Sequence, residues 1–186
     1  FFFVFTLTFF SGQMKAQPFD GGVLSLENGE LSARSWHISS KEDDFPLLRE
    51  LDGDIVAQVG AALDYPTSFI VEDGPSDDSD WTPDVRWFHI RSVNNGKYVT
   101  VQGTSPGSSV GLEPLVESSG SAMYKQQFVL VPSPAGSGWY KLRSRLSQNG
   151  PDLVLSVNSN GHITAESPDL DPSREQKFAF NLTLPF

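Results

Sequence analysis

The chain has 186 residues, of which 38% are hydrophobic and none is cysteine, and its net charge at pH 7 is −10. This length suffices for one domain with a sizeable core and is short for two. The negative charge repels phosphate backbones and anionic lipid, so we expect neither nucleic acid nor membrane insertion. Without cysteine there can be no disulfide, and stability must come from burial of the core.

The first ten residues form a run rich in phenylalanine. The run is far shorter than the roughly 20 apolar residues of a membrane-spanning helix. It is typical of the apolar part of a secretory signal, with Gly12 or Ala16 as the small residue before the cleavage point. We therefore predict that residues 1–17 are a signal remnant and that the protein is secreted. A buried strand is the alternative interpretation.

Three short segments begin alike and recur at a fixed spacing: Trp36–Ser40, Phe88–Ser92 and Tyr140–Ser144. In each, an aromatic residue stands two positions before an aliphatic one, and a serine stands two positions after it. The aliphatic residues lie at positions 38, 90 and 142, so both steps are 52 residues. A fixed period indicates one supersecondary unit used three times.

The ends and the middles of the three units also match. Each unit closes on an aromatic residue that leads a short apolar strand, namely Phe69, Phe128 and Phe178, and the last two follow the pattern Gln-x-Phe. Asp-Gly and Asn-Gly pairs between apolar residues predict hairpins, because the favoured turns need positive φ. The predicted hairpins span residues 47–58, 98–112 and 153–166. Four strands in each of three units give twelve short strands, and no long helix is predicted.

The segment Gly96–Val101 is similar to the Gly-Lys-x-Leu-Asp-Val segment of ricin-B-like lectins. With the 52-residue period and the two Gln-x-Phe closures, the chain resembles the β-trefoil family, and within it these lectin modules. The resemblance implies an all-β fold of three units of about four strands with pseudo-threefold symmetry, in which three hairpins cap a six-stranded barrel. It places these aromatic residues in the core or barrel floor: Trp36, Phe69, Phe88, Phe128, Tyr140 and Phe178.

The predicted trefoil domain covers residues 36–186, with units at about 36–73, 86–132 and 139–182. Residues 18–35 are predicted to form an N-terminal hairpin or extension. Val23–Ala33 also resembles the hairpin of the third unit, so the domain could begin there instead.

An acidic connection at residues 72–85 contains two prolines and five aspartates, which predicts a surface loop. Its carboxylates at Asp77, Asp78, Asp80 and Asp84 could ligate Ca²⁺, but the spacing lacks the glycine and the distal glutamate of an EF-hand. A solvated connector is favoured, and we predict no metal and no cofactor. Trp81 in this loop could stack on a sugar ring or pack back on the barrel.

No catalytic motif stands out. The three histidines, His37, His89 and His162, are scattered, and His37 and His89 occupy equivalent positions in two units. The chain has no Gly-x-Ser-x-Gly elbow, no His-Glu-x-x-His motif and no phosphate-binding glycine loop. We therefore expect a protein that binds rather than an enzyme.

The resemblance implies that the ligand is a glycan, held in ricin-B-like modules by the aspartate of the Leu-Asp-Val segment, an aromatic ring and an amide. The aspartate position falls on Glu50, Thr100 and Ser156, so the usual two-point grip on sugar hydroxyls is absent. The candidate binding residues cluster on the hairpins and their turns: Asp152, Asn158, Asn160 and His162 in the third unit, Asn95, Tyr98 and Gln102 in the second, and Glu50 in the first. Alternatively, the asparagines only supply turn geometry.

The sequence thus favours a secreted, non-catalytic protein that binds glycans or glycoproteins. One alternative is a β-trefoil protease inhibitor, acting on a protease partner through the predicted exposed segment Ser144–Ser147 or through the loop near Trp81. Another is a binding module of a larger secreted glycan-active enzyme.

Overall fold

The computed structural model describes residues 35–41, 46–61, 65–74, 87–117, 120–133, 137–148, 150–168 and 176–182. Within these ranges the chain forms twelve strands, as predicted. They are β1 Ser35–Ser40, β2 Leu47–Leu51, β3 Asp54–Gln58, β4 Ser68–Asp73, β5 Phe88–Ser92, β6 Tyr98–Val101, β7 Ser108–Glu113, β8 Phe128–Pro132, β9 Tyr140–Ser144, β10 Val154–Val157, β11 Ile163–Glu166 and β12 Phe178–Leu182. The helical elements there are single turns, α1 at Ser121–Tyr124 and two 3₁₀ helices at Tyr65–Thr67 and Arg145–Gln148. None of these described helices is long and apolar enough to cross a membrane.

Six strands close into a ring. β1 pairs with β12 and β4, β5 pairs with β4 and β8, and β9 pairs with β8 and β12, all antiparallel. A closed ring leaves none of these strands as an edge, which removes a surface prone to aggregation. The ring is the barrel that the sequence resemblance implies.

The other six strands form the three predicted hairpins. These are β2–β3, β6–β7 and β10–β11, and the first strand of each pairs with a barrel strand. Their second strands meet one another: β3 pairs with β7, β7 pairs with β11, and a bridge joins Val56 of β3 to His162 next to β11. The hairpins therefore close one end of the barrel.

The turn of the first hairpin shows why its sequence predicted it. Asp52 and Gly53 both have positive φ, 53° and 93°. A two-residue hairpin turn of this kind has the twist that antiparallel strands need, and Asp-Gly adopts it at little cost.

The core contains most of the aromatic residues that the sequence predicted to be internal. Of the six aromatic residues predicted to be internal, five are buried, whereas Trp36 is only partly buried and packs against the cluster. The repeated serines Ser40, Ser92 and Ser144 are also fully buried. Their backbone N–H groups donate to the carbonyl oxygens of Pro46, Lys97 and Leu153 at 2.9, 2.8 and 2.9 Å. Each serine therefore marks the point where a barrel strand is tied to its hairpin.

The glutamine of each Gln-x-Phe pattern fastens the chain that follows a hairpin. The fully buried Gln126 donates from Nε2 to Thr100 Oγ1 and to the Pro114 carbonyl, and its Oε1 accepts from the Val116 N–H. Gln176 donates to the Ser167 carbonyl at 3.0 Å. The pattern is thus explained by hydrogen bonding of a buried connection.

Two boundaries differ from the sequence prediction. β1 begins at Ser35, and Glu72 and Asp73 belong to β4, where they pair with β5, so the acidic connection begins later than residue 72. The predicted signal remnant, residues 18–34 of the predicted N-terminal extension, and residues 75–86 with Trp81 and the four aspartates lie outside the described residues.

Candidate functional site

A polar cluster lies on the outer face of the barrel, where β4, β5 and β6 run side by side. Glu72 is the cross-strand partner of His89, and Arg91 is the cross-strand partner of Tyr98. Cross-strand partners share a face of the sheet, and so do residues two apart on one strand. The four side chains therefore lie on one face, which we call the β4–β6 cluster.

Glu72 connects the cluster through hydrogen bonds. Its Oε1 accepts from Nε and Nη2 of Arg91, both at 2.6 Å, and its Oε2 accepts from the Tyr98 hydroxyl at 3.1 Å. The Arg91 and Glu72 side chains are 28% and 32% exposed, so a ligand in water can reach this pair. Burial raises the pKa of Tyr98, and the hydrogen bond to Glu72 raises that pKa further, so the phenol stays a donor at neutral pH.

His89 lies beneath this surface. Its ring meets the Tyr98 ring edge-on, with 5.6 Å between centroids and 81° between planes. The side chain is only 5% exposed, and its buried Nε2 has no hydrogen-bond partner. Burial lowers the pKa of His89, and the nearby Glu72 charge offsets part of that effect. The imidazole is therefore neutral at pH 7 and supports one side of the tyrosine.

The second unit differs from the others at one position of this face. Tyr98, Leu47 and Val154 are equivalent, because each is the hairpin residue that pairs with a barrel strand. At this position the second unit alone has an aromatic ring, and the ring is partly exposed. Of the residues predicted from sequence to bind a ligand, Tyr98 is therefore the one with the most suitable surroundings.

Glu50 and Asn95 lie close together because they are hydrogen-bonded to each other. The Glu50 carboxylate accepts hydrogen bonds from Ser92 Oγ at 3.0 Å, Asn94 Nδ2 at 2.9 Å and Asn95 Nδ2 at 2.8 Å. Asn95 Oδ1 in turn accepts from the backbone N–H of Lys97. These contacts join the first hairpin to the turn between β5 and β6. Three protein donors therefore occupy most of the acceptor capacity that a sugar would need.

The strand register corrects the predicted equivalence of Glu50 with Thr100 and Ser156. Leu47, Tyr98 and Val154 are equivalent, so Arg49 is the counterpart of Thr100 and Ser156, and Glu50 is the counterpart of two buried valines, Val101 and Val157. Thr100 and Ser156 are themselves buried, and Thr100 Oγ1 donates to the Tyr98 carbonyl. Both residues are too buried to contact a ligand from the solvent.

No protein-family model matches the sequence, and no curated protein sequence matches it either. Solved structures do. A designed threefold-symmetric protein, ThreeFoil, has a TM-score of 0.60 at 17% identity and covers 81% of this chain and 99% of its own. The BEL β-trefoil has a TM-score of 0.59 at 14% identity and covers 81% of this chain and 93% of its own. The fold is a β-trefoil.

A third similar structure is larger. The endo-β-galactosidase from Clostridium perfringens that releases GlcNAcα1-4Gal has a TM-score of 0.60 at 10% identity. The match covers 81% of the present chain but only 33% of that enzyme. At these identities the likeness concerns the fold, and the chemistry of the trefoil must be argued from its own residues.

The predicted residues of the third trefoil unit separate into two places. Asp152 precedes β10 and accepts a hydrogen bond from Arg143 Nε at 2.6 Å, whereas Asn158, Asn160 and His162 follow the other end of that strand. Since a strand rises about 3.3 Å per residue, β10 separates these groups by at least about 10 Å. Asn158 Oδ1 accepts hydrogen bonds from the backbone N–H groups of Asn160 and His162, so its side chain holds the turn between β10 and β11.

Gln102 also lies at the hairpin end that is distant from Tyr98. Its Oε1 accepts from Ser109 Oγ at 2.7 Å across the loop between β6 and β7. This exposed hydrogen bond holds the loop, so Gln102 belongs to the tip of the hairpin rather than to the β4–β6 cluster.

One proposed inhibitor loop is wrong. Ser144–Ser147 was predicted to be exposed, yet Ser144, Arg145 and Leu146 are buried. The Arg145 guanidinium lies 4.2 Å from the centroid of the Tyr124 ring, and its Nη1 donates to Gln127 Oε1 at 2.6 Å. A buried arginine with an aromatic and an amide partner stabilises the interior and presents nothing to a protease.

Sequence reasoning missed Glu72 and Arg91. Glu72 was assigned to the acidic connection, whereas in the structure it belongs to β4. There it follows Val71 and pairs with His89 of β5. Arg91 and Arg143 are 52 residues apart in the repeated first strand, and both bind carboxylates, Glu72 and Asp152. That repetition was the available signal.

Proposed function

We propose that this protein is a secreted, non-catalytic β-trefoil that binds carbohydrate, and that its three four-stranded units are copies of one unit related by pseudo-threefold symmetry. The equivalent pairings of β1, β5 and β9 with their hairpins support the repetition. The binding site is assigned to the β4–β6 cluster of the second unit, and its partners are glycans or glycoproteins.

The combination of Tyr98, Glu72 and Arg91 carries this proposal. A sugar ring has an apolar face of C–H groups and a rim of hydroxyls that both donate and accept. Tyr98 offers a partly exposed aromatic surface, Glu72 offers acceptors, and Arg91 offers donors, all linked within hydrogen-bond distance. A few fixed polar groups beside an aromatic surface are typical of small-ligand sites. The fixed geometry also lowers the entropy cost of binding.

The test is a glycan array with the full chain and two variants. Tyr98→Leu introduces the residue that the first unit already has at this position, so it should preserve folding. It should weaken binding at least about tenfold, the loss expected when an aromatic anchor worth about 1.4 kcal/mol or more is removed. Asp152→Asn changes the carboxylate that binds Arg143 in the third unit, as Glu72 binds Arg91, and it should leave glycan binding unchanged.

Three outcomes contradict this assignment. Loss of binding in Asp152→Asn but not in Tyr98→Leu moves the site to the third unit. Equal binding by all three proteins removes the site from both units. Silence of the folded wild-type protein across neutral, sialylated and sulfated glycans refutes carbohydrate binding itself.

A binding module of a larger glycan-active enzyme is a second candidate. The fold likeness to one third of the Clostridium perfringens endo-β-galactosidase supports it. In that case the chain should bind a polysaccharide without cleaving it, and fusion to a glycosidase catalytic domain should raise activity on insoluble substrate only. A lectin that acts on its own would instead bind the soluble and the insoluble forms of the same glycan equally well.

Secretion is proposed from the apolar run in the first ten residues. Expression of the full chain in a secreting host should release protein into the medium, and N-terminal sequencing should place the new terminus near Gly12 or Ala16. Retention of the intact first ten residues in the cell fraction would contradict this assignment.

A further inference from the structure

We propose that the hydrogen bond between Tyr98 and Glu72 is acid-sensitive, because protonation of the buried His89 draws the Glu72 carboxylate away from the tyrosine. The switch itself rests on the geometry of the β4–β6 cluster. Its effect on a ligand, which is weaker glycan binding in acid, rests on the proposed function.

The neutral state is the one that the structure shows. Glu72 is shared between two donors, Arg91 on Oε1 and the Tyr98 hydroxyl on Oε2. The His89 ring touches the Tyr98 ring by its edge and leaves Nε2 without a partner. A neutral imidazole can occupy this position, because it carries no charge and, when its proton is on Nδ1, needs no hydrogen-bond acceptor at Nε2.

Protonation of His89 creates a need for a hydrogen-bond acceptor at Nε2. An imidazolium donates at both nitrogens, and a buried cation without an acceptor is costly. Glu72 is the nearest candidate, since it is the direct cross-strand partner of His89 and its charge already acts on that ring. The two groups are not in hydrogen-bond contact in the neutral state, so Glu72 must move toward the imidazole and away from Tyr98.

The charged and titratable groups around His89 favour this response. From β4 the facing group is Glu72, whereas Asp73 pairs with Phe88 on the opposite side of the strand. From β6 it is Tyr98, and on β5 itself it is Arg91. β8, the third neighbour of β5, contains no titratable residue. Arg91 repels an imidazolium, so among the described residues that face His89 the group that can compensate its charge is Glu72.

His37 is a natural control. It lies at the equivalent place 52 residues earlier and is also 5% exposed. Its Nδ1 lies 3.0 Å from the Thr67 carbonyl oxygen, so this imidazole has a fixed partner. The same residue type at the same depth is therefore anchored in the first unit and lacks a partner at Nε2 in the second.

The experiment is an NMR titration of the ligand-free full chain between about pH 7 and pH 5, above the range in which carboxyl groups ordinarily titrate. The Tyr98 ring signals should shift together with the His89 signals and along the same curve. His89→Gln should abolish the shift at Tyr98, whereas His37→Gln should leave it unchanged. Tyr98 signals that do not move with His89, or that still move in His89→Gln, overturn the proposal. If His89→Gln fails to fold, co-titration in the wild-type protein decides.

A binding measurement separates the two proposals. Immobilised N-acetyllactosamine, a neutral glycan, serves as the probe over the same pH range. Affinity should fall about fivefold or more in acid, the lower end of ordinary coupling between sites. Affinity that is independent of pH while Tyr98 titrates overturns the effect on binding. Absence of binding at every pH counts against the proposed function, and the NMR titration still decides the switch.

Discussion

The inside of the barrel and its outer face differ in how similar the equivalent residues of the three units are. Inside, the last strand of each unit (β4, β8 and β12) has a fully buried phenylalanine as its first or second residue, namely Phe69, Phe128 or Phe178. Outside, the equivalent hairpin position holds Leu47, Tyr98 or Val154. Close packing allows few side chains at an interior position, whereas the hairpin position, which is partly exposed at Leu47 and Tyr98 and buried at Val154, tolerates more variation. The repeated interior therefore accounts for the fold, and the individual features of the molecule lie on the second unit's outer face.

The first hairpin contains an exception to this interior rule. Glu50 stands where the other two hairpins have Val101 and Val157, and it is stabilised by donors from the neighbouring unit. A carboxylate at a partly buried position requires such partners. The exception shows that symmetry can be broken inside the hairpins wherever a neighbouring turn supplies hydrogen bonds.

The largest expected effect is loss of an interior phenylalanine. Phe128→Ala should lower the free energy of unfolding by about 3–5 kcal/mol, because it removes a fully buried ring and leaves a cavity. Urea denaturation measures it. Val131→Ala on the same strand, at a residue 37% exposed, should cost less than about 0.5 kcal/mol. Similar losses for both variants would contradict the distinction between the two faces.

The next effect concerns the buried glutamine. Gln126→Met keeps the volume but deprives Thr100, Pro114 and Val116 of a hydrogen-bond partner. The expected cost is about 1–3 kcal/mol, the range for unsatisfied buried groups. Gln102→Met is the matched change at an exposed glutamine with a side-chain partner. A cost for Gln102→Met equal to that for Gln126→Met, measured by urea denaturation, would show that burial is not the cause.

The same contrast explains how much could be read from the sequence. The barrel strands and hairpins were predictable, because the aromatic and aliphatic pattern and the Asp52-Gly53 turn are local signals. The β4–β6 cluster was not, since the partnership of Glu72 with His89 depends on a register across the long acidic connection. The burial of Arg145 was missed for a similar reason, as its aromatic partner Tyr124 comes from another unit.

A smaller effect tests the exception inside the first hairpin. Glu50→Val makes this position the same as in the other two units. It should nevertheless destabilise the protein by about 1 kcal/mol, because the buried Ser92 hydroxyl loses its acceptor while the exposed Asn94 and Asn95 turn to water. Chemical denaturation gives the value. Glu117→Val, at an exposed glutamate, is the control, and a more stable Glu50→Val protein would show that the valine's burial outweighs the lost hydrogen bonds.

The smallest effect is a dependence of stability on pH, and it sharpens the comparison of His37 with His89. Burial lowers the pKa of His89 below the ordinary value of 6.5. Between the two values the unfolded chain binds a proton that the folded chain does not, so acid favours unfolding. This contribution to stability is complete above about pH 6.5, falls as the pH drops below that value, and levels off once the folded imidazole is protonated too. Urea midpoints of the wild-type protein should therefore decline with acid in this range more steeply than those of His89→Gln. Parallel curves would contradict the neutral buried imidazole. Such a result would remove the physical basis for an acid-sensitive tyrosine, because a histidine that protonates equally in both states has no reason to move Glu72.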